Sequence, residues 1–208
     1  MRNLADYHLQ ELKIALDPRH PAHCQPEVPA QAEVLDIGCG AGQTLIAACA
    51  GRRSFGVDVD LSALRLGMSL TQQVAFTCAA AEELPFRGGV FDLIISRVAI
   101  PYTHIPRALA EIARVLKPEG VVWLTLHSWR IPWEGAHRAQ WRGRVFFAYV
   151  VLNSLLFHAT QRLFRFPKGG YESFQTRSGV IRALRRAGFE QISIEIRPPH
   201  FIVTAKRK

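Results

Sequence analysis

Three glycines at alternate positions end a short apolar run, and a segment of helical composition follows them. Residues 34–42 have the sequence VLDIGCGAG, in which the glycines are Gly38, Gly40 and Gly42. A buried strand that stops at glycines and turns into a helix exposes bare backbone, against which a ligand can bind closely. The turn therefore predicts an α/β fold whose ligand site lies at the carboxyl end of the first strand.

Apolar runs and helical patterns alternate after this turn. The chain has 208 residues, which is enough for one α/β domain with a full core. Its apolar runs do not alternate with polar residues, as is typical of parallel strands that are covered on both faces. We predict strands at 33–37, 54–58, 74–79, 91–96 and 121–126, and helices at 42–50, 61–71 and 106–116.

The two ends of the chain complete the predicted sheet. Residues 1–30 form an N-terminal helix and a proline-rich link, and Thr176 caps a last helix that runs to Ala187. Strands at 191–196 and 201–205 are close enough to form an antiparallel hairpin. We therefore predict a single domain over 1–208, with a doubly wound, Rossmann-like, mostly parallel seven-stranded sheet and an antiparallel C-terminal hairpin.

Two positions distinguish between the ligands that such a turn can bind. A dinucleotide fingerprint needs a third glycine that lets the helix pack on the strand, and Gln43 stands at that place here. The second strand ends at Asp58, where a carboxylate can accept hydrogen bonds from both hydroxyls of a ribose. The combination favours a nucleoside ligand over a dinucleotide pyrophosphate.

Five motifs in order resemble those of the class I S-adenosylmethionine-dependent methyltransferases, in particular the small-molecule branch that includes quinone-biosynthesis enzymes. They are VLDIGCGAG at 34–42, GVDVD at 56–60, AAEELPF at 80–86, FDLIIS at 91–96 and EIARVLKPEG at 111–120. The resemblance covers residues 33–126. It implies that the chain is an enzyme, that S-adenosyl-L-methionine is its cofactor and that a small molecule is its methyl acceptor.

The resemblance also implies a role for individual residues. The implied cofactor contacts are Asp36, Gly38, Cys39, Gly40, Asp58, Val59, Ala81, Glu82, Ser96 and Arg97. Among them, Asp36 would orient the amino group of the methionine part, Asp58 would bind the ribose hydroxyls and Val59 would lie against the adenine. Many members have an aspartate where this chain has Ala80, so we expect adenine recognition to depend on the backbone or on Glu82.

The acceptor should lie near the loops after the fourth and fifth strands, because ligands of open α/β sheets bind at the carboxyl ends of the strands. These loops carry Arg97, Tyr102, His104, His127 and Trp129. Tyr102, to orient the acceptor, and His104 and His127, as bases, are the candidate catalytic residues, and each has an equally plausible structural role. Arg97 pairs either with a substrate carboxylate or with Asp92 or Glu111. A base is needed only where the acceptor keeps its proton at neutral pH, since alignment with the activated methyl group supplies most of the catalysis.

A basic, apolar insert over 130–170 interrupts the strand–helix rhythm and should contain a helix of its own. It holds seven cations and one acidic residue, which is most of the net charge of +9. Trp141, Val145, Tyr149, Leu152, Leu156, Ala159 and Leu163 can share one helical face. The apolar stretch is shorter than the roughly 20 residues that span a membrane. The alternatives are a lid over the acceptor, a peripheral membrane contact through 141–166, a dimer contact, or a helix packed on the domain with its arginines solvated.

Nucleic acid is not an expected substrate. Base-amino methyltransferases hold a flipped base with an Asn/Asp-Pro-Pro-aromatic motif, whereas residues 96–99 have the sequence SRVA. Pyrimidine-carbon methylation needs a cysteine beside the methyl donor, and no cysteine follows the fourth or fifth strand. The positive charge also accompanies large apolar residues instead of lining a basic groove with spaced aromatics.

The cysteines indicate the compartment in which the protein is located. None of the four cysteines forms a CxxC pair, and three lie in segments that are predicted to be buried, so we expect a reduced, cytoplasmic protein. We expect no metal, and we expect the protein to be a monomer or a homodimer. Contact of the insert with lipid would make it peripheral to a membrane. The predicted function is methyl transfer to a small, hydrophobic or anionic molecule, and the alternative is a cofactor-binding sensor or scaffold without turnover.

Overall fold

The computed structural model describes residues 4–49, 52–128, 141–167, 169–198 and 200–208. Seven strands of these residues form one sheet in the order β3-β2-β1-β4-β5-β7-β6. The strands are β1 (Val34–Ile37), β2 (Ser54–Asp58), β3 (Val74–Cys78), β4 (Phe91–Arg97), β5 (Leu116–His127), β6 (Phe189–Arg197) and β7 (His200–Arg207). The strands β1 to β5 pair in parallel, and β7 runs antiparallel to both of its neighbours, β5 and β6. The predicted fold class is confirmed.

Helices cover the sheet and connect its strands. They are α1 (Leu4–Leu16), α2 (Gln43–Ala48), α3 (Leu61–Leu70), α4 (Ile105–Val115), α5 (Trp141–Thr160) and α6 (Arg177–Arg186), with a 3₁₀ turn at Ile100–Tyr102. The predicted cap is present, because the side chain of Thr176 accepts a hydrogen bond from the backbone N–H of Gly179 at the start of α6. Gly188 follows α6 with φ +89°, a left-handed conformation that suits glycine at the end of a helix.

The core lies on both faces of the sheet. Leu35 and Ile37 of β1 belong to a large apolar cluster that also contains residues of α4 and α6, whereas Val34 belongs to a second cluster with Leu45 and Trp123. Successive side chains of a strand point to opposite faces. Apolar residues on both faces therefore explain why the sequence shows no alternation, and they leave the strand ends as the place for a polar site.

Two predicted strand starts were wrong by more than one residue. The strand β5 begins at Leu116, where the sequence predicted 121, because Phe91 of β4 pairs with Leu116 before the register shifts. Glu119 has φ +63° in this bulge. The strand β6 begins at Phe189, where the sequence predicted 191, because Phe189 already pairs with Arg207. The sequence also predicted three cysteines in buried segments, whereas the structure buries two, Cys39 and Cys49, and exposes Cys78.

The helix of the insert packs on the domain with only part of the predicted apolar face, and that part includes Tyr149. Tyr149, Asn153 and Phe157 are buried, whereas Val145 and Leu152 of the predicted apolar face are exposed. The window Gly143–Thr160 is long and apolar enough, by length and composition alone, to cross a membrane, and 28% of it is buried in the domain. The earlier part of the insert, residues 130–140, and Trp129 lie outside the described residues.

Candidate functional site

The glycine turn brings bare backbone to the carboxyl end of β1. Gly38, Gly40 and Gly42 have φ values of +73°, +56° and +77°, which residues with a side chain rarely adopt. The N–H groups of Gly38 and Cys39 both donate to the carbonyl of Val57 in β2. These two N–H groups are therefore already bonded within the sheet and are not free to bind a pyrophosphate.

Asp58 closes the turn from the end of β2. Its Oδ2 accepts a hydrogen bond from the Gly40 N–H at 2.8 Å, and its Oδ1 accepts one from the Asp60 N–H at 2.9 Å. Each carboxylate oxygen has a second lone pair, which a ribose hydroxyl can use. The carboxylate thus supports the turn from the position that the sequence predicts for a ribose contact.

Asp36 is a carboxyl group buried under the turn. Its side chain is 1% exposed, and its Oδ1 has no hydrogen-bond partner among the described residues. Burial raises the pKa of Asp36 to about 8, the guanidinium of Arg97 opposes the rise and the charge of Asp58 adds to it. A cation that approached this carboxyl group would favour its ionised form.

The sequence did not indicate that α1 packs over the turn. His8 of α1 is 7% exposed, and a Cβ on Gly40 would lie 2.9 Å from its Cε1. The Nδ1 atom of His8 lies 2.7 Å from the amide nitrogen of Gln43; when this amide donates to Nδ1, the proton of the ring is on Nε2. This buried Nε2–H has no partner among the described residues, so it is a donor that a bound acceptor can satisfy.

His8 and Asp36 together suit the amino-acid part of a cofactor. An unpartnered N–H donor is complementary to a carboxylate, and an unpartnered carboxyl oxygen is complementary to an ammonium group. Close packing requires glycine at both positions of the turn, because a Cβ on Gly38 would overlap Ala99 at 2.1 Å and one on Gly40 would lie 2.9 Å from His8. These groups fit a ligand that ends in an α-amino acid.

Two of the remaining predicted cofactor residues are buried in the framework of the turn. The Sγ of Cys39 packs against Gly56, where an added Cβ would lie 2.8 Å away, and Ser96 Oγ donates to the carbonyl of Ile37 at 2.8 Å. Their side chains therefore connect strands, and only their backbone is available to a ligand. The side chain of Val59, by contrast, is 70% exposed beside the turn, as a contact with an adenine ring would require.

The segment after β3 is connected to the start of α4. The Glu82 carboxylate accepts a hydrogen bond from the His104 N–H at 2.6 Å, next to Ala81, which is buried. His104 is the N-cap of α4, and its Nδ1 accepts a hydrogen bond from the Arg107 N–H at 3.4 Å. His104 therefore has a structural role as the helix cap. The carboxylate of Glu82, which the sequence predicts as an adenine contact, binds the start of α4.

The end of β4 is strained. Val98 has φ +63°, which is uncommon for a β-branched residue, and such strain is concentrated at functional sites. The guanidinium of Arg97 pairs with Glu11 of α1. The alternative in which Arg97 pairs with Asp92 or Glu111 was wrong, because Lys117 and Arg114 are the partners of those carboxylates. The Arg97–Glu11 ion pair connects α1 to the end of β4.

Three rings meet where β5 and β7 pair. His127 stacks on His200 with ring centroids 5.5 Å apart, and Tyr102 contacts His127 edge-on at 5.4 Å. Burial and the neighbouring His200 lower the pKa of His127 to about 4, and burial with the charge of Glu172 raises the pKa of Tyr102 to about 12. Both residues are therefore neutral near pH 7: His127 is a weak base, and Tyr102 keeps its proton.

A cavity of about 800 Å³ lies beside these groups. Its walls come from the ends of β4, β5 and β6, the start of β7, α1 and the link after α1. Residues on the wall include Tyr7, Glu11, Cys24, Arg97, Val98, Thr125 and His200. Thr125 Oγ1 and His200 Nδ1 are buried and have no partner among the described residues, so a ligand in the cavity would have polar groups to bond.

A model of a known family, described as a methyltransferase domain, matches residues 35–124. The match contains the glycine turn, Asp58 and the strained end of β4.

Residues 35–124 form a methyltransferase domain.

Relatives and solved structures agree with this assignment. The chain is 36% identical over 108 residues to the uncharacterized methyltransferase YcgJ of Bacillus subtilis, a match that covers 49% of this chain and 43% of YcgJ. It is 28% identical to the malonyl-[acyl-carrier protein] O-methyltransferase of Geobacter sulfurreducens over 85% of this chain and 65% of that protein. The matches span less than half of the length of the first curated relatives.

The solved structure of YcgJ superposes with a TM-score of 0.59, at 19% identity, and covers 97% of this chain and 99% of that chain. A S-adenosylmethionine-dependent methyltransferase from Thermotoga maritima gives a TM-score of 0.60 at 18% identity and covers 99% of this chain and 92% of that one. Identities this low show the fold alone. A methyltransferase domain implies S-adenosylmethionine as the cofactor, and the chemistry of Asp58, Asp36 and His8 is complementary to its ribose and amino-acid part.

Proposed function

We propose that this methyltransferase transfers the methyl group of S-adenosylmethionine to a small molecule held in the cavity at the ends of β4 and β5. The cavity itself is the observation that carries the proposal. Its volume of about 800 Å³ lies in the range of small-molecule sites. It has Arg97 and Val98 on its wall, and the next residue, Ala99, lies against the glycine turn.

The cofactor would be held by groups on three elements. Asp58 would accept from the ribose hydroxyls, Asp36 would face the ammonium group and His8 Nε2–H would donate to the carboxylate. Because His8 and Glu11 lie on the same helix, and Glu11 pairs with Arg97, α1 would close over both the cofactor and the acceptor. Closure of this kind excludes water and holds the two reactants in line, which are the main contributions that such an enzyme has to supply.

When bound, the cofactor supplies a methyl group that is already activated by the positive sulfur. The protein has to align the acceptor and, where necessary, remove its proton. His200 has a pKa lowered chiefly by burial, so its neutral ring can accept a hydrogen bond from an acceptor hydroxyl. The Thr125 hydroxyl is a second orienting group in the same wall. A base with a depressed pKa suits an acceptor that loses its proton only as the methyl group arrives.

The acceptor that we propose is partly apolar and carries an anionic group. Arg97, Arg197 and His23 line the cavity together with Ile196 and Ile202. Each arginine already pairs with a glutamate, so an anionic group would share a charge-assisted network instead of meeting an isolated cation. The Geobacter relative is named as a malonyl-[acyl-carrier protein] O-methyltransferase, which is consistent with a substrate that carries a carboxylate.

The test is turnover of labelled methyl groups. The purified protein is incubated with methyl-labelled S-adenosylmethionine and the small-molecule fraction of a cell lysate, and label is followed in extracted products by mass spectrometry. A matched variant, Ala22→Trp, places a bulky ring in the exposed link at the mouth of the cavity. We expect the wild type to label a product and Ala22→Trp to bind the cofactor equally well but lose the labelling.

Two results would contradict the proposal. Cofactor binding without labelling of any fraction would favour the sensor or scaffold. Labelling of only the nucleic-acid or protein fraction would remove the small molecule as the substrate class.

A further inference from the structure

The solvent-facing side of α5 is apolar, which is unusual for a helix on a domain surface. Val145, Ala148, Leu152, Leu155 and Ala159 are all exposed and follow one another at three- and four-residue intervals. Leu152 is 60% exposed. We call this set the outward stripe. An apolar face of this length on a surface helix indicates a partner that covers it.

The orientation of α5 is fixed by its polar, buried side. Asn153 donates from Nδ2 to the Glu172 carbonyl at 3.1 Å and accepts at Oδ1 from the Phe164 N–H at 3.0 Å. Ser154 Oγ accepts a hydrogen bond from the Phe174 N–H at 2.9 Å. Rotation of α5 to bury the outward stripe would break these bonds inside the domain, and each lost bond leaves an unsatisfied buried group. The stripe therefore faces outward because the other side is occupied.

Positive charge flanks the outward stripe. Arg144 lies in α5 next to Val145 of the stripe, and Arg162 and Arg165 follow the helix; all three are exposed, and the sequence has no acidic residue from 135 to 171. A covering surface should therefore provide both apolar groups and negative charge. Two copies of this chain that paired through the stripe would bring these arginines together without any carboxylate to neutralise them.

A lipid surface supplies both properties in one layer, because acyl chains lie directly beneath the phosphates. We propose that the outward stripe of α5 binds an anionic membrane surface, with the helix parallel to the membrane plane and the arginines among the lipid phosphates. Crossing of the bilayer by α5 would require the hydrogen bonds of Asn153 and Ser154 to the domain to break, so the helix lies on the membrane.

The segment after α5 connects this surface to the acceptor side of the sheet. Ser173 N–H donates to the Pro101 carbonyl at 3.1 Å, and Gln175 N–H donates to the His127 carbonyl at 3.0 Å. The rings of Tyr171 and His104 also contact edge-on, with centroids 5.3 Å apart. Membrane binding through α5 would therefore hold the loops after β4 and β5 near the lipid.

The experiment is flotation of the full chain with vesicles, followed by measurement of the bound fraction. One set of vesicles is phosphatidylcholine alone, and the other mixes phosphatidylcholine with phosphatidylglycerol. Leu152→Glu places a charge in the stripe, and Met68→Glu makes the same kind of change at an exposed position of α3. The pair Arg144→Gln with Arg162→Gln removes charge without changing the stripe.

We expect flotation only with the anionic vesicles. Leu152→Glu should weaken binding by about tenfold or more, the double arginine variant by about thirtyfold, and Met68→Glu should bind like the wild type. Circular dichroism confirms that each variant is folded. Absence of flotation, or equal loss in Met68→Glu, would overturn the proposal. Resistance of the bound protein to alkaline carbonate would overturn the parallel orientation, and a dimer in solution that Leu152→Glu dissociates would assign the stripe to a second copy.

Discussion

Replacement of Asp36 by asparagine should remove a pH dependence of stability that this one carboxyl group creates. Burial raises its pKa from 3.8 to about 8 in the folded protein, so above about pH 5 the unfolded chain has lost this proton and the folded chain still holds it. Stability from such a group is present at low pH and is lost as the pH rises through the folded pKa. The loss is 1.36 kcal/mol per pH unit, or about 4 kcal/mol between about pH 5 and pH 8, as an upper limit.

Asp36→Asn lacks this titration and should lose correspondingly less stability across the same range. An amide in the buried site has its own cost, but that cost does not change with pH, so the difference in slope is diagnostic. Urea unfolding of both proteins at several pH values gives the two slopes. Asp92→Asn is the control, because Asp92 pairs with Lys117 and its pKa is lowered. The contribution of Asp92 to folding stability is therefore lost only under acidic conditions. Parallel slopes for wild type and Asp36→Asn would refute the raised pKa.

The same carboxyl group should release a proton when the cofactor binds. The ammonium group of S-adenosylmethionine favours the ionised form of Asp36, so binding near pH 7 should expel most of one proton. Calorimetry in two buffers with different ionisation enthalpies measures this number. Asp36→Asn should release none and should bind the cofactor about tenfold to a hundredfold more weakly, because it loses a charge-assisted contact.

Three further predictions concern the turn. Asp58→Asn should raise the dissociation constant of the cofactor by about tenfold to a hundredfold in calorimetry, because an amide keeps one acceptor for the turn but loses the charge that binds the ribose hydroxyls; an unchanged constant would remove the ribose assignment. Gly38→Ala should lower the free energy of unfolding by about 1–3 kcal/mol more than Gly89→Ala, because both glycines have positive φ but only the Cβ on Gly38 meets another residue; equal losses would show that backbone strain alone explains the effect. His8→Phe keeps a ring over the turn but removes the Nε2–H, so it should bind the cofactor about tenfold more weakly than the wild type does. An analogue of the demethylated product that lacks the carboxylate should bind to both proteins equally well. An equal loss of affinity for both ligands would contradict a contact between His8 and the carboxylate.

Local sequence was sufficient to predict the elements around the glycine turn. The strand β1, the positive-φ glycines and Asp58 at the end of β2 lie within contiguous segments whose glycine positions and apolar runs specify their own conformation. The helix cap at Thr176 is equally local, because the hydroxyl bonds a backbone N–H three residues on. Predictions of this kind succeed because the interacting groups are close in the chain.

Contacts between distant segments were beyond the sequence. His8 packs over Gly40 only because α1 folds back onto the turn, and Arg97 pairs with Glu11 for the same reason. Nothing in the spacing of α1 indicates this docking. As a result, a residue that we assign to the cofactor, His8, was absent from the predicted site, and an arginine in that site has a partner that was not among the predicted ones.

The insert shows the difference between the two kinds of information most clearly. Its composition determined that α5 is a long, apolar and basic helix, since these properties depend only on residue types. Which side of α5 is buried was decided by Asn153 and Ser154, whose hydrogen-bond partners lie at 164, 172 and 174. A helical pattern gives the relative positions of side chains around the axis. Only the tertiary structure decides which of those positions face the domain, because buried polar groups must reach partners that other segments supply.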